Sequence, residues 1–167
     1  MKNVGRTAVL ATAIAACGTA FADQGLYVGG ALSRVEFKPD GGPTFTPTAI
    51  AAVVGKEFSP NFAGEVRLGA GIAADSNVEV DNYVGVYGKG MLPLTKEVAI
   101  YGLLGLTSTK LKFTGGGGSA SDSSLSYGFG ADFALNRGTS IGVEWASLVR
   151  ASGYDVNALS LLVKFKF

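Results

Sequence analysis

The 167-residue chain has no histidine, one cysteine, and only 16% charged residues. Each scarcity removes a class of function. Without imidazole there is no Ser–His–Asp triad, no Cys–His pair and no His-ligated metal. Cys17, alone, can form neither an internal disulfide nor a Cys-rich zinc site. A net charge of +1 gives no general electrostatic case for nucleic acid. Disorder is excluded by a 47% hydrophobic content. No motif calls for a cofactor. The run Gly115-Gly116-Gly117-Gly118 is not followed by Lys-Ser/Thr, so it is no phosphate loop. Outside the N-terminus there is also no apolar run of the ~20 residues that a membrane-spanning helix needs. Yet the mean hydropathy, +0.31, is high for a soluble domain.

The length fits one domain. Its start reads as an address. Lys2 and Arg6 precede the uncharged run Thr7–Ala16, and Ala20-Phe21-Ala22 offers small residues where signal peptidase reads them. Cleavage between Ala22 and Asp23 leaves Asp23–Phe167. Ile14-Ala15-Ala16-Cys17 also resembles a lipobox, which would make Cys17 a lipidated N-terminus; the Ala20–Ala22 spacing favours conventional cleavage.

What remains is rich in glycine and in alternation. Phe167, Phe165, Val163, Leu161 and Leu159 share one face of a period-two pattern, with Lys166, Lys164, Leu162, Ser160 and Ala158 on the other. Leu125, Tyr127, Phe129, Ala131, Phe133 and Leu135 oppose Ser124, Ser126, Gly128, Gly130, Asp132 and Ala134. Val66 and Leu68 oppose Glu65 and Arg67; Ile141, Val143 and Trp145 oppose Ser140, Gly142 and Glu144. In Ala49–Phe58, Ile50, Ala52, Val54 and Phe58 point one way. Gly25–Phe37 has no clear facing, and residues 83–92 and 98–107 are apolar on both faces. About eight strands result. Short connections at Ser59–Asn61, Pro93–Glu97 and Asn136–Thr139 alternate with mostly longer polar ones at Lys38–Thr48, Ala74–Asn82, Ser108–Ser123 and Ala151–Asp155. This predicts an all-β fold, an eight-stranded antiparallel up-and-down transmembrane barrel over 23–167, with Gly115–Gly118 at a mobile loop tip.

The chain resembles the small outer-membrane β-barrels of Gram-negative bacteria, the OmpA-transmembrane, OmpX and opacity-like group. Three segments carry the resemblance. Val54–Glu65 is similar to a strand, periplasmic turn and strand. Gly142-Val143-Glu144-Trp145 resembles the acidic-aromatic pair of the seventh strand. Asp155–Phe167 resembles the closing strand, with Leu162 where the family often has Gly. The resemblance implies an outer-membrane location and a non-enzymatic role, structural or adhesive, with surface loops displayed. It implies contacts with outer-membrane lipid and lipopolysaccharide, and a host-surface ligand. It also implies that Leu161, Val163, Phe165 and Phe167 form the signal read by the barrel-assembly machinery.

Residue chemistry adds further expectations. Phe58, Phe133, Trp145, Phe165 and Phe167 are candidates for aromatic girdles. Glu65, Arg67, Asp132 and Glu144 fall on polar faces and, joined by Lys89, are expected to form an ion-pair network that plugs the lumen. An ion path through that lumen, or a small-conductance pore, is the alternative. Lys110 and Lys112 offer a basic pair near the third long loop, and Asp75, Glu79 and Asp81 an acidic trio in the second. A soluble lipocalin-like barrel would turn the apolar faces inward.

Overall fold

The computed structural model describes residues 25–74, 78–113, 118–151 and 154–167. The proposed leader, with Cys17, Ala20, Ala22 and Asp23, lies outside the described residues, as do Asp75 and Gly115–Gly117. Eight strands form one closed sheet: β1 (Leu26–Pro39), β2 (Thr48–Ser59), β3 (Phe62–Ala73), β4 (Val78–Pro93), β5 (Val98–Phe113), β6 (Gly118–Ala134), β7 (Thr139–Ala151) and β8 (Tyr154–Lys166). Every neighbour is antiparallel, and β1 closes on β8 from Tyr27↔Lys166 to Pro39↔Tyr154. The expected barrel is therefore the observed one.

Alternation decides which way each side chain points. Leu159, Leu161, Val163 and Phe165 stand exposed outside, while Ala158, Ser160, Leu162 and Lys164 are buried inside. The outer row of β6 from Leu125 to Leu135 makes an apolar band about 25 Å tall, the span of a lipid bilayer's core. Such a surface is stable only in lipid, which excludes the soluble alternative with its inward apolar face. Phe58 and Phe62, 70% and 65% exposed, flank the Ser59–Asn61 turn. With Phe133, Phe165 and Phe167 they ring the short-turn end. Trp145 lies further up the wall, its ring 5.5 Å from Phe129 and 6.4 Å from Tyr127.

The strands that period two could not orient owe their ambiguity to tyrosine. Tyr83 and Tyr87 on β4, Tyr101 on β5 and Tyr27 on β1 all face inward and are buried. Each lies across a glycine of the next strand, in the registers Tyr27↔Gly55, Tyr83↔Gly69, Tyr87↔Gly105 and Tyr101↔Gly130. A Cβ at Gly55 would sit 2.2 Å from the Tyr27 ring, and one at Gly69 would sit 2.1 Å from the Tyr83 ring. Glycine is needed there so that an aromatic ring can lie flat against the wall of a narrow barrel. Leu162, the departure from the family pattern, is buried inside between Gly142 and Ala31.

Above the belt the wall inverts. On β1, Val35 and Phe37 face inward while Arg34, Glu36 and Lys38 face outward. Phe37, Phe45, Leu148, Val149, Val156 and Tyr154 fill the lumen there with apolar side chains. Phe45 is brought in by the β1–β2 loop, which folds back through paired backbone bonds between Phe37 and Phe45 after a turn with Gly41 at φ 75°.

The strands also run further than the sequence suggests. The stretch Ser108–Ser123, expected as a loop, is mostly ladder, because β5 and β6 stay paired up to Phe113↔Gly118. Its Ser/Thr-rich composition reads as loop, but cross-strand pairing supplies the backbone bonds. Likewise β4 begins at Val78, inside the expected loop Ala74–Asn82. Only the first long connection, residues 40–47, remains a sizeable loop among the described residues. These extensions outrun their neighbours. The β3–β4 ladder ends at Gly69↔Tyr83 and the β6–β7 ladder at Tyr127↔Ser147. A three-stranded ribbon of β4, β5 and β6 therefore rises above the ring with its two outer edges outside those ladders.

The tyrosine–glycine fit predicts opposite outcomes at two kinds of glycine. Gly55→Val forces the Tyr27 ring off the wall and destabilises the barrel by about 1–3 kcal/mol, or blocks refolding. Gly90, with nothing within 4 Å of a would-be Cβ, tolerates Ala with no loss. Urea titration of the folded fraction, read by gel mobility of unboiled samples, separates the two.

Candidate functional site: the charged lumen

Below the apolar cap the lumen changes chemistry twice. The first layer is hydroxylic. Thr107 Oγ1 meets the Tyr87 hydroxyl at 2.6 Å and accepts from Ser126 Oγ at 2.7 Å. Ser33 and Ser160 pair across β1 and β8 at 2.7 Å. The next layer is ionic. Arg67 on β3 donates from Nε to Glu65 at 2.5 Å, and from Nη1 and Nη2 to the two oxygens of Glu144 on β7 at 2.5 and 2.7 Å. The guanidinium thus bridges the barrel from wall to wall in a bidentate fork, the strongest geometry such a pair adopts. Tyr27 donates to Glu65 at 2.8 Å and Tyr101 to Glu144 at 2.9 Å, using remaining lone pairs of each carboxylate. The Arg67 guanidinium carbon lies 5.0 Å from the Tyr87 ring centre.

A second ionic layer sits closer to the short turns. Lys164 donates to Asp132 Oδ2 at 2.5 Å. Lys89 Nζ stands 3.5 Å from the same oxygen, 3.6 Å from Glu65 and 3.7 Å from the centre of the Tyr101 ring. The three cations Arg67, Lys89 and Lys164 face the three carboxylates Glu65, Asp132 and Glu144. The cluster is neutral, which is the condition for holding ions out of water. At the rim Lys166 pairs with Glu57.

Each of the five charges singled out in the sequence therefore stands inside the barrel and within this set of contacts. Lys164 was assigned to the polar face of β8 but not to the cluster. The only signal that could have placed it is registry: Lys164 pairs with Ser140, and Ser140 with Ala134, which puts Lys164 at the height of Asp132 two strands away. The inward tyrosines could not be placed from the sequence, because their strands are apolar on both faces or have no clear facing. Of the other candidates, Lys110 is half-exposed and 3.9 Å from Asp81, while the side chains of Glu79 and Lys112 lie outside the described residues.

Removing one partner from this cluster leaves an uncompensated charge. Arg67→Met strands Glu65 and Glu144 together and is expected to cost about 3–5 kcal/mol. Lys164→Met, with Lys89 still beside Asp132, costs less. Thermal melts of the two variants in detergent, followed by the mobility shift on boiling, check the order.

A family model described as outer membrane protein beta-barrel domain matches residues 7–167. A search of curated proteins finds no match. Among solved structures, Ail, the attachment invasion locus protein of Yersinia pestis, superposes with a TM-score of 0.65 at 20% identity, covering 87% of this chain and 100% of its own. One Ail structure is in complex with the heparin analogue sucrose octasulfate. Neisserial surface protein A gives 0.66 at 16% identity over 86% of this chain and 98% of its own. The N-terminal barrel of Pseudomonas aeruginosa OprF gives 0.58 at 9% over 82% and 97%. A closed eight-stranded sheet, a lipid-facing belt, a charged lumen and a family match over nearly the whole length lead to one conclusion: the chain belongs to the outer-membrane β-barrel domain family and resides in the outer membrane of a Gram-negative bacterium.

Proposed function

We propose that this barrel is a non-enzymatic surface protein with a closed lumen, acting through its outer ribbon and first loop as a contact for a host-surface ligand or as an envelope component. The observation that carries the reading is the β4–β5–β6 ribbon, which continues past the ladders to β3 and β7. Raised above the lipid belt, the ribbon and the β1–β2 loop offer a surface outside the membrane on which a partner can dock. Neighbouring Ail, with its attachment and invasion name, supports a role of this kind for the shared fold.

Other features fit the same reading. The apolar cap over two ionic layers favours a plugged lumen over a conducting one. The lack of histidine removes the chemistry on which most outer-membrane barrel enzymes depend. Lys110 and Lys112, on β5 above the belt, suit lipopolysaccharide phosphates or a polyanionic ligand; the sulfated sugar on Ail supports the latter class. Leu161, Val163, Phe165 and Phe167 form an exposed apolar row at the end of the chain, suited to recognition by the assembly machinery. Delivery would follow cleavage at Ala22–Asp23, with no cofactor, metal or nucleic acid involved.

Two measurements test this. Thr109 and Asp122 are register partners, so replacing the residues between them by a tight turn shortens the ribbon without disturbing the ring. The shortened protein is expected to keep its heat-dependent mobility and lose binding of the bacteria to host cells or matrix. Planar-bilayer recordings of the intact barrel should show no steady openings; large regular conductance would favour the pore instead.

A further inference from the structure

A roomy chamber in the lumen opens toward the periplasm. Its volume is about 320 Å³. The floor is the lower ionic layer and the rim is built by the turns β4–β5 and β6–β7. We propose that this vestibule binds a phosphate group.

Lys89 and Lys164 each carry three N–H donors. Asp132 Oδ2 takes Lys164 at 2.5 Å and is shared with Lys89 at 3.5 Å. The other carboxylate near Lys89 is Glu65 at 3.6 Å, already holding Arg67 and Tyr27. Both Lys89 distances exceed an ordinary N–H···O bond. Yet its side chain is only 1% exposed, and it lines the chamber. Lys89, held over the Tyr101 ring at 3.7 Å and beside a second ammonium that shares its carboxylate, is a place where an added anionic oxygen is favourable, and Asp132 Oδ1, without a partner among the described residues, can accept from a P–OH.

The rim points the same way. Lys96 and Arg137 line the chamber at the tips of the two turns, against the single carboxylate Glu97, which accepts from the Thr95 hydroxyl at 3.2 Å. The Glu57–Lys166 pair is balanced. The inner cluster is neutral, so the excess lies at the rim, where Lys96, Arg137 and Lys166 face Glu57 and Glu97. An anion in the chamber offsets that one excess positive charge. Phosphate has the charge and the compact shape, with enough oxygens to accept from both floor lysines and the Ser140 hydroxyl on the wall. It would arrive either on an inner-leaflet phospholipid headgroup at the rim or on a soluble periplasmic molecule. The site does not require the lumen to be closed above it, so failure of the plug reading leaves it standing.

The test is sodium phosphate titrated into the folded barrel in a maltoside detergent, against sodium chloride at equal ionic strength, with backbone amide NMR as readout. Saturable shifts are expected at 89, 132, 140 and 164, absent with chloride. Arg137→Gln, at an exposed turn where folding is not at stake, should weaken the response about three-fold. Lys89→Gln should abolish it if that barrel folds. Repeating the titration in phosphatidylglycerol nanodiscs separates the sources: loss of the phosphate response assigns the site to the headgroup, and its persistence assigns it to a soluble phosphate. Shifts confined to the turn tips, equal shifts with chloride, or an unchanged response in Arg137→Gln would overturn the proposal.

Discussion

A chain in lipid must satisfy every backbone N–H and C=O without water, and for strands only closure does so. The seam between β1 and β8 is therefore the constraint on which the rest depends. It is long, running thirteen registers from Tyr27↔Lys166 to Pro39↔Tyr154. Closure with eight strands fixes a narrow lumen, too tight for a wide aqueous channel and lined by side chains from every wall. Whatever faces inward must then fit its opposite neighbours in size and in charge.

Size is handled by the tyrosine–glycine pairs, and charge by the neutral set of Arg67, Lys89 and Lys164 against Glu65, Asp132 and Glu144. The two devices are joined, since Tyr27 and Tyr101 lie on their glycines and donate to the carboxylates of the ionic layer. The high glycine content is thus tied to the buried ions. Each ring needs a bare stretch of wall, and Glu65 and Glu144 take the hydroxyls of Tyr27 and Tyr101. Towards the outside, where the strands leave the bilayer, the demand reverses. The wall becomes charged outside and apolar inside, as in a water-soluble barrel, and the cap around Phe37 and Phe45 follows from that reversal.

Much of this was legible in the residues. Where small or polar side chains alternate with large apolar ones, as in β3, β6 and β8, period two placed each face directly. Glu65, Arg67, Asp132 and Glu144 could be assigned to inner faces on that basis. In β4 and β5 the inward side is itself aromatic and aliphatic, through Tyr83, Tyr87, Tyr101 and Leu103, so the pattern has no contrast. In β1 the small residues Gly29, Gly30 and Ala31 erase it. Height along the axis was not legible at all, because it depends on the stagger of eight ladders. That is why Lys164 could be given a face but not a partner, and why the ribbon above Tyr83 and Tyr127 reads as loop from composition.

The ionic layer acts as a coupled unit spanning the closed barrel. A double-mutant cycle on Arg67→Met and Glu144→Met, read as unfolding free energy in lipid vesicles, tests it most directly. Each single change is expected to be costly, and the double variant more stable than Arg67→Met alone, with a coupling of about 2 kcal/mol or more. Additive effects of the two substitutions would contradict it.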